Sequence, residues 1–253
     1  MAKKPPFIVG NWKMHMTTAE AKKLAKAIAK AASGLSGAEM VLAPPYTALS
    51  KVGKALEDSP VQLAAQNLHW EDQGAFTGEV SAPMLKDAGC RYVIIGHSER
   101  RQYFGETDAG VNRKIRAALR SGVIPVVCIG ESLAERERGE TMTVVSRQLQ
   151  NGLDGISPEG FEPMIIAYEP VWAIGTGKTA SPAQAEEVHA HIRSELTRKY
   201  GNSPAGCAII LYGGSVKPAN AFALLSERNI DGFLVGGASL EAESFVEIVQ
   251  EAI

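Results

Sequence analysis

Cysteine is scarce in this sequence: Cys90, Cys128 and Cys207 are its three thiols in 253 residues, and no two stand at a metal-ligand spacing such as C-x-x-C. That pattern fits a reducing compartment, and the thiols read most simply as buried small hydrophobes. Long apolar runs are missing as well. None approaches the roughly 20 residues of a membrane helix. The opening MAKKPPFIVGNW has only FIV after its two lysines, too little for a signal-peptide core. A soluble, cytoplasmic protein is expected. Charge excess is also absent. The 26 basic and 28 acidic residues leave a formal charge of -2, which gives no broad electrostatic footprint for nucleic acid. An anionic ligand would need local positive potential.

What is present is a repeating pattern. Short apolar runs recur at 7–10, 40–43, 61–65, 92–96, 123–130, 164–168, 208–212 and 233–237. They are continuous rather than alternating, as expected for parallel strands covered on both faces. Helical signals fill the gaps. Thr17 to Glu20 forms a capping box ahead of a ladder of alanines, and Ser181-Pro182-Ala183-Gln184 forms another with proline at the first helical position. Further helices are expected near 46–57, 82–89, 107–121, 133–152, 217–227 and 240–252. No linker or composition shift divides the chain, so 1–253 reads as a single domain. Eight strand–helix units in roughly 250 residues predict an α/β fold, a closed (β/α)8 barrel with an outer ring of helices; an open doubly wound sheet is the structural competitor.

In both architectures ligands bind beyond the carboxyl ends of the strands. There the first run leads into Asn11-Trp12-Lys13, the fourth into His97-Ser98-Glu99-Arg100, and the sixth into Glu169-Pro170. The seventh ends at Gly213-Gly214-Ser215 and the eighth at Gly236-Gly237. Taken singly, Lys13 reads as a solvated charge, His97 as a structural histidine, Glu169 as an ion-pair partner and the glycines as turn devices. Together they would share one mouth. A carboxylate base, an imidazole donor and a lysine suit proton transfer beside a carbonyl, and backbone N–H groups at glycine turns suit a phosphate. His15, His69, His189 and His191 lack that placement; the last two fall in an amphipathic helix and are expected to be exposed.

The stretch AYEPVWAIGTGKTA, residues 167–180, invites a nucleotide reading. A phosphate loop G-x-x-x-x-G-K-[ST] ending at Gly177-Lys178-Thr179 needs glycine at position 172, where Trp172 stands. Gly175, Gly177 and Ala180 match a relaxed dinucleotide fingerprint, yet at the sixth strand and not directly after it. What remains is a loop between a proline and a helix cap. Its apolar Val171, Trp172 and Ile174 suit a lid over a ligand, or else a connection packed permanently on the barrel.

Gly10-Asn11-Trp12-Lys13, Gly96-His97-Ser98-Glu99-Arg100-Arg101, AYEPVWAIGTGKTA, Tyr212-Gly213-Gly214-Ser215-Val216 and Gly236-Gly237 together resemble the triosephosphate isomerase family. The likeness runs from Phe7 to the C-terminus. It implies cofactor-free interconversion of dihydroxyacetone phosphate and D-glyceraldehyde 3-phosphate through a cis-enediolate, in glycolysis and gluconeogenesis. By the resemblance, Glu169 is the base, neutral His97 the electrophile, Lys13 the cation, Asn11 an organiser and Glu99 a supporting carboxylate. A helix start after His97 would disfavour imidazolium. The phosphate would be bound by Gly175, Ser215, Gly236 and Gly237 beside Asn11 and Lys13. Pro170, Val171, Trp172, Ala173, Ile174, Gly175, Thr176, Gly177, Lys178, Thr179 and Ala180 would form the lid. Ile174 and Leu234 would cover Glu169, and Tyr212 and Ser215 would latch the closed loop. The loop 66–78, with Trp70, Phe76 and Thr77, would insert into a second subunit, making a homodimer. Two other readings stay open: another phosphate-sugar barrel enzyme, and a non-catalytic phosphometabolite-binding protein.

Overall fold

The computed structural model describes residues 4–174 and 179–253. Gly175, Thr176, Gly177 and Lys178 of the expected lid lie outside the described residues. The strands are β1 Phe7–Asn11, β2 Glu39–Ala43, β3 Gln62–Ala65, β4 Tyr92–Ile95, β5 Ile124–Ile129, β6 Ile165–Tyr168, β7 Ile209–Tyr212 and β8 Gly232–Val235. Each pairs in parallel with the next, and β8 closes onto β1 through Val9 opposite Leu234. The barrel reading holds and the open sheet does not.

The apolar runs build two packed layers because successive side chains on a strand point to opposite faces. Phe7, Val9, Ile94, Val126, Ile165, Ala167 and Leu211 fill the barrel interior. Ile8, Leu42, Val93, Val127, Ile166 and Ile210 face the helices. Full burial of each large side chain contributes roughly 1.5–3 kcal/mol, which makes the continuous apolar runs the main source of the closed sheet. Parity carries through to the rim. Asn11 continues the inward series Phe7, Val9, and Glu169 continues the inward series Ile165, Ala167.

The helices follow their sequence signals. On the helix Thr18–Ala32 the buried residues Ala21, Ala25, Ile28, Ala29 and Ala32 form one stripe, and the Glu20 carboxylate accepts from the backbone N–H and hydroxyl of Thr17 at 2.8 and 2.7 Å. Ser181 and Gln184 exchange bonds of 3.0 and 3.2 Å at the start of the helix Pro182–Tyr200. The segment expected as one helix over 133–152 is two, Leu133–Glu137 and Thr141–Gly152. Gly139 between them has φ 71°, a left-handed turn that ends the first. The helix start expected after His97 is the short helix Ser98–Phe104, whereas the short helices Pro158–Phe161 and Asn202–Cys207 were not anticipated. Of the thiols, Cys90 and Cys128 are buried as expected, whereas Cys207 is exposed because it ends a short surface helix.

Candidate active site

Asn11 ends β1 and is almost fully buried; its Oδ1 accepts the Lys13 backbone N–H at 3.0 Å. That bond helps hold Lys13 at φ 51°, a left-handed conformation that side-chain-bearing residues adopt at a cost. Gln66 completes the restraint by donating to the Lys13 and Ala43 carbonyls, both at 2.8 Å. The Lys13 ammonium then sits 2.6 Å from Glu99. The supporting carboxylate expected at position 99 therefore meets the cation directly.

At the end of β4, Gly96 turns the chain with φ 74°, and a Cβ there would lie 2.9 Å from Val111 and 3.1 Å from the Cys128 carbonyl. Only glycine fits this turn comfortably. It delivers His97 to the N-cap of the helix Ser98–Phe104, where Nδ1 accepts the Glu99 backbone N–H at 3.2 Å. In the neutral ring the proton therefore belongs on Nε2, an assignment made from the hydrogen bonds. Nε2 lies 2.9 Å from Oε1 of Glu169, and Oε2 accepts the Ser98 N–H at 2.8 Å.

Two glycines seat the glutamate. A Cβ at Gly130 would come within 1.7 Å of the Glu169 carbonyl oxygen, and one at Gly213 within 2.9 Å of its Cγ. Burial alone would raise the Glu169 pKa. His97, the Ser98 N–H and Lys13 overcome that and hold it below the ordinary value. Burial disfavours imidazolium at His97, but Glu169 and then Glu99 outweigh it and hold the His97 pKa above its ordinary value. The helix start expected to disfavour imidazolium is present, yet the net shift of this ring is upward because the carboxylate of Glu169 faces it. The effect lasts only while Glu169 faces the ring.

Asn11, Lys13, His97 and Glu169 line a cavity of about 280 Å³. Gly213, Gly214, Ser215, Gly236 and Gly237 line it too, with Ile174 and Leu234 beside them. Lys217 also reaches it, a residue that sequence reasoning passed over although it stands two places after Ser215. A larger groove of about 910 Å³ is lined in part by Val171, Trp172 and Ile174, but neither Glu169 nor His97 lines it. The smaller cavity is the one that brings the expected site residues together.

A profile of the triosephosphate isomerase family matches residues 6–252. The chain belongs to the triosephosphate isomerase family. It is 56% identical over 244 residues to the triosephosphate isomerase of Moorella thermoacetica, covering 96% of this chain and 97% of that protein. Its identity to the one from Chloroflexus aurantiacus is 54%, covering 96% of this chain and 98% of the relative. The crystal structure of triosephosphate isomerase from Bartonella henselae superposes with a TM-score of 0.89 at 43% identity, covering 98% of both chains.

Around this isomerase-family cavity the described residues of the expected lid are well anchored. Glu131, fully buried just past β5, accepts from the Tyr168 hydroxyl at 3.1 Å, from Trp172 Nε1 at 3.0 Å and from Arg136 at 3.3 Å. Its carbonyl also accepts the Val171 N–H at 3.1 Å. Glu131 was missed because a lone acidic residue after a strand carries no motif. Pro170 and Ala173 are buried, Val171, Trp172 and Ile174 half-buried, Thr179 exposed and Ala180 buried. The Tyr212 hydroxyl is buried with no hydrogen-bond partner among the described residues. Burial pushes its pKa up to about 12, and the Ala180 backbone nearby opposes that rise without completing a bond.

The remaining histidines divide. His15 is exposed, and His69 is buried and stacks on Trp70 with centroids 4.3 Å apart. His191 is half-buried, 2.8 Å from the Ser146 hydroxyl. His189 is fully buried, against expectation, because it shares a helix face with Ala185, Ile192 and Leu196. In the loop 66–78, Trp70 is half-buried under the Arg113 guanidinium 3.9 Å from its ring centre, while Phe76 and Thr77 are exposed.

Proposed function

We propose that this chain interconverts dihydroxyacetone phosphate and D-glyceraldehyde 3-phosphate by proton transfer through a cis-enediolate. Glu169 is the base. Its carboxylate takes the proton from C1 of the ketose, the C–H electrons form the enediolate double bond, and the same group returns a proton to C2. His97 donates Nε2–H to the C2 carbonyl oxygen as negative charge gathers there and recovers a proton from the O1 hydroxyl, so that C1 becomes the aldehyde and C2 the carbinol, while the Lys13 ammonium stabilises the charge. Asn11 holds Lys13 in place and Glu99 orients its ammonium. Substrate and product are isomers, so no electrons or atoms are exchanged with a cofactor.

The phosphate is bound in the same cavity by backbone N–H groups of Ser215, Gly236 and Gly237, joined by Gly175 of the lid. Pro170 to Ala180 closes over it, with Ile174 and Leu234 over Glu169, and with Tyr212 and Ser215 as the latch. Closure matters chemically because an enediolate phosphate open to water expels its phosphate. The whole chain, 1–253, works as one barrel domain. It acts in the cytoplasm in glycolysis and gluconeogenesis, as a homodimer in which the loop carrying Thr77 meets a second copy near Asn11 and Lys13. Among the described residues no helix is long and apolar enough to cross a membrane. Exposed Met14, Phe76 and Phe104 support the dimer, since large apolar side chains left in water favour an interface.

One observation carries the reading: Glu169, His97, Asn11 and Lys13 share a single cavity with the two glycine turns, Gly213-Gly214 and Gly236-Gly237, that suit a phosphate. An enzyme-coupled assay with each triose phosphate tests it. Rapid conversion in both directions is expected, and inertness toward both substrates would refute it.

A further inference from the structure

His189 takes no part in the chemistry above, yet it is completely buried behind β6 and β7. Its Nδ1–H donates to the Asn229 carbonyl at 3.2 Å. Asn229 is itself held by Glu186 at 2.6 and 2.9 Å and by Arg193 at 2.9 Å. Those bonds fix the plane of the imidazole, while Nε2 has no partner among the described residues. The ring meets Tyr168 edge-on with centroids 5.8 Å apart, and Tyr212 at a tilt with centroids 6.4 Å apart.

These tyrosines are register partners at the ends of β6 and β7. Each faces one end of the lid. Tyr168 bonds Glu131, which holds Trp172 at the first end, and Tyr212 approaches Ala180 at the second.

We infer that His189 is a positioning residue for the lid, a rigid wedge that sets Tyr168 and Tyr212 together and so aligns both of its ends. The inference rests on the isomerase reading and on the role of Tyr212 as latch. In a close-packed layer a vacated ring volume is filled by movement of its neighbours. A phenol that tilts by a fraction of an ångström moves its hydroxyl out of line with a backbone N–H, and hydrogen bonds weaken steeply with misalignment. The wedge needs a flat ring in this seat and does not need a charge. Burial, which depresses the His189 pKa to about 3, keeps the ring neutral at working pH.

A lid defect differs measurably from a general packing defect. A phosphate-free substrate cannot draw the lid closed, so it is indifferent to latch alignment. A phosphorylated enediolate under a loose lid loses phosphate to water. The experiment compares wild type, His189→Ala and His189→Phe. It measures kcat/KM for D-glyceraldehyde 3-phosphate, the rate of deuterium exchange into glycolaldehyde, and inorganic phosphate released per turnover. His189→Ala should lose roughly tenfold in kcat/KM on the phosphorylated substrate. It should stay within about twofold of wild type on glycolaldehyde and release more phosphate. His189→Phe should recover most of the loss.

Equal losses on both substrates would overturn the inference, as would an alanine variant with unchanged kcat/KM and no phosphate release. Should His189→Ala not fold, the ring nitrogen signals of His189 in labelled wild-type protein decide. They should shift when 2-phosphoglycolate, which resembles the enediolate, is added; unmoved signals contradict the wedge. A wild type that converts neither triose phosphate would overturn the function itself, a result distinct from silent variants of an active enzyme.

Discussion

The Glu169 carboxylate is bonded from two sides, by His97 Nε2 at 2.9 Å and by the Ser98 backbone N–H at 2.8 Å. The His97 bond occupies both groups at once, so it is incompatible with Glu169 taking a proton from carbon while His97 polarises a substrate oxygen. The proposed mechanism therefore requires substrate binding to separate the two residues. The same pair has a signature in pH. The Glu169 pKa lies below its ordinary value of 4.5, so the pair's contribution is present above that value and is lost as pH falls through the lower, folded-state pKa. In the free protein a carboxyl-carbon NMR titration of Glu169 should give a midpoint below 4.5 that moves upward in His97→Gln. A midpoint at or above the ordinary value would contradict the pairing.

His189 gives a second pH dependence, of stability rather than activity. Its folded pKa is about 3 against an ordinary 6.5, so the unfolded chain takes up a proton that the folded chain refuses. Stability is full above 6.5 and falls as pH drops toward about 3. Between pH 7 and pH 5 the loss is about 2 kcal/mol from this group. Urea unfolding across that interval should show a shallower decline in His189→Asn than in wild type.

Gly96 is constrained by conformation and by space. Alanine there would hold φ 74° with its Cβ 2.9 Å from Val111. Gly96→Ala is expected to destabilise the fold by about 1–3 kcal/mol and to displace His97, which follows directly. Chemical denaturation together with kcat measures both effects, and a variant matching wild type in each would argue against a strained turn.

Lys217 is an exposed cation at the edge of the cavity. Its charge should attract a phosphorylated substrate without touching the proton transfer. Lys217→Gln is expected to raise KM by about two- to fivefold at low ionic strength with kcat unchanged, and the difference should shrink as salt screens the charge. A fall in kcat that persists at high salt would place Lys217 in the chemistry instead.

Much of this was legible from residue order. Buried parallel strands announce themselves as continuous apolar runs, and the rim residues Asn11 and Glu169 extend the inward series of β1 and β6. Glu131 was not legible, because its importance comes from three partners, Tyr168, Trp172 and Arg136, whose convergence exists only in the folded chain. His189 was misjudged for another reason. Polar type suggested exposure, whereas its spacing from Ala185, Ile192 and Leu196 placed it on the apolar face, and position prevailed. The break at Gly139 was visible as a glycine but was overridden by the helical pattern around it. The charge of His97 depends on how close Glu169 approaches, a distance that sequence does not encode locally.

The central claim is that Glu169 carries one proton between neighbouring carbons of a triose phosphate. Turnover of dihydroxyacetone phosphate in heavy water, followed by NMR of the trapped aldehyde, tests this directly. A carboxylic acid exchanges its proton with solvent, so wild type should deliver deuterium to C2 of D-glyceraldehyde 3-phosphate. Glu169→Gln should reduce that incorporation by roughly 10²–10⁴-fold. Deuterium delivered at an undiminished rate by Glu169→Gln would contradict the account.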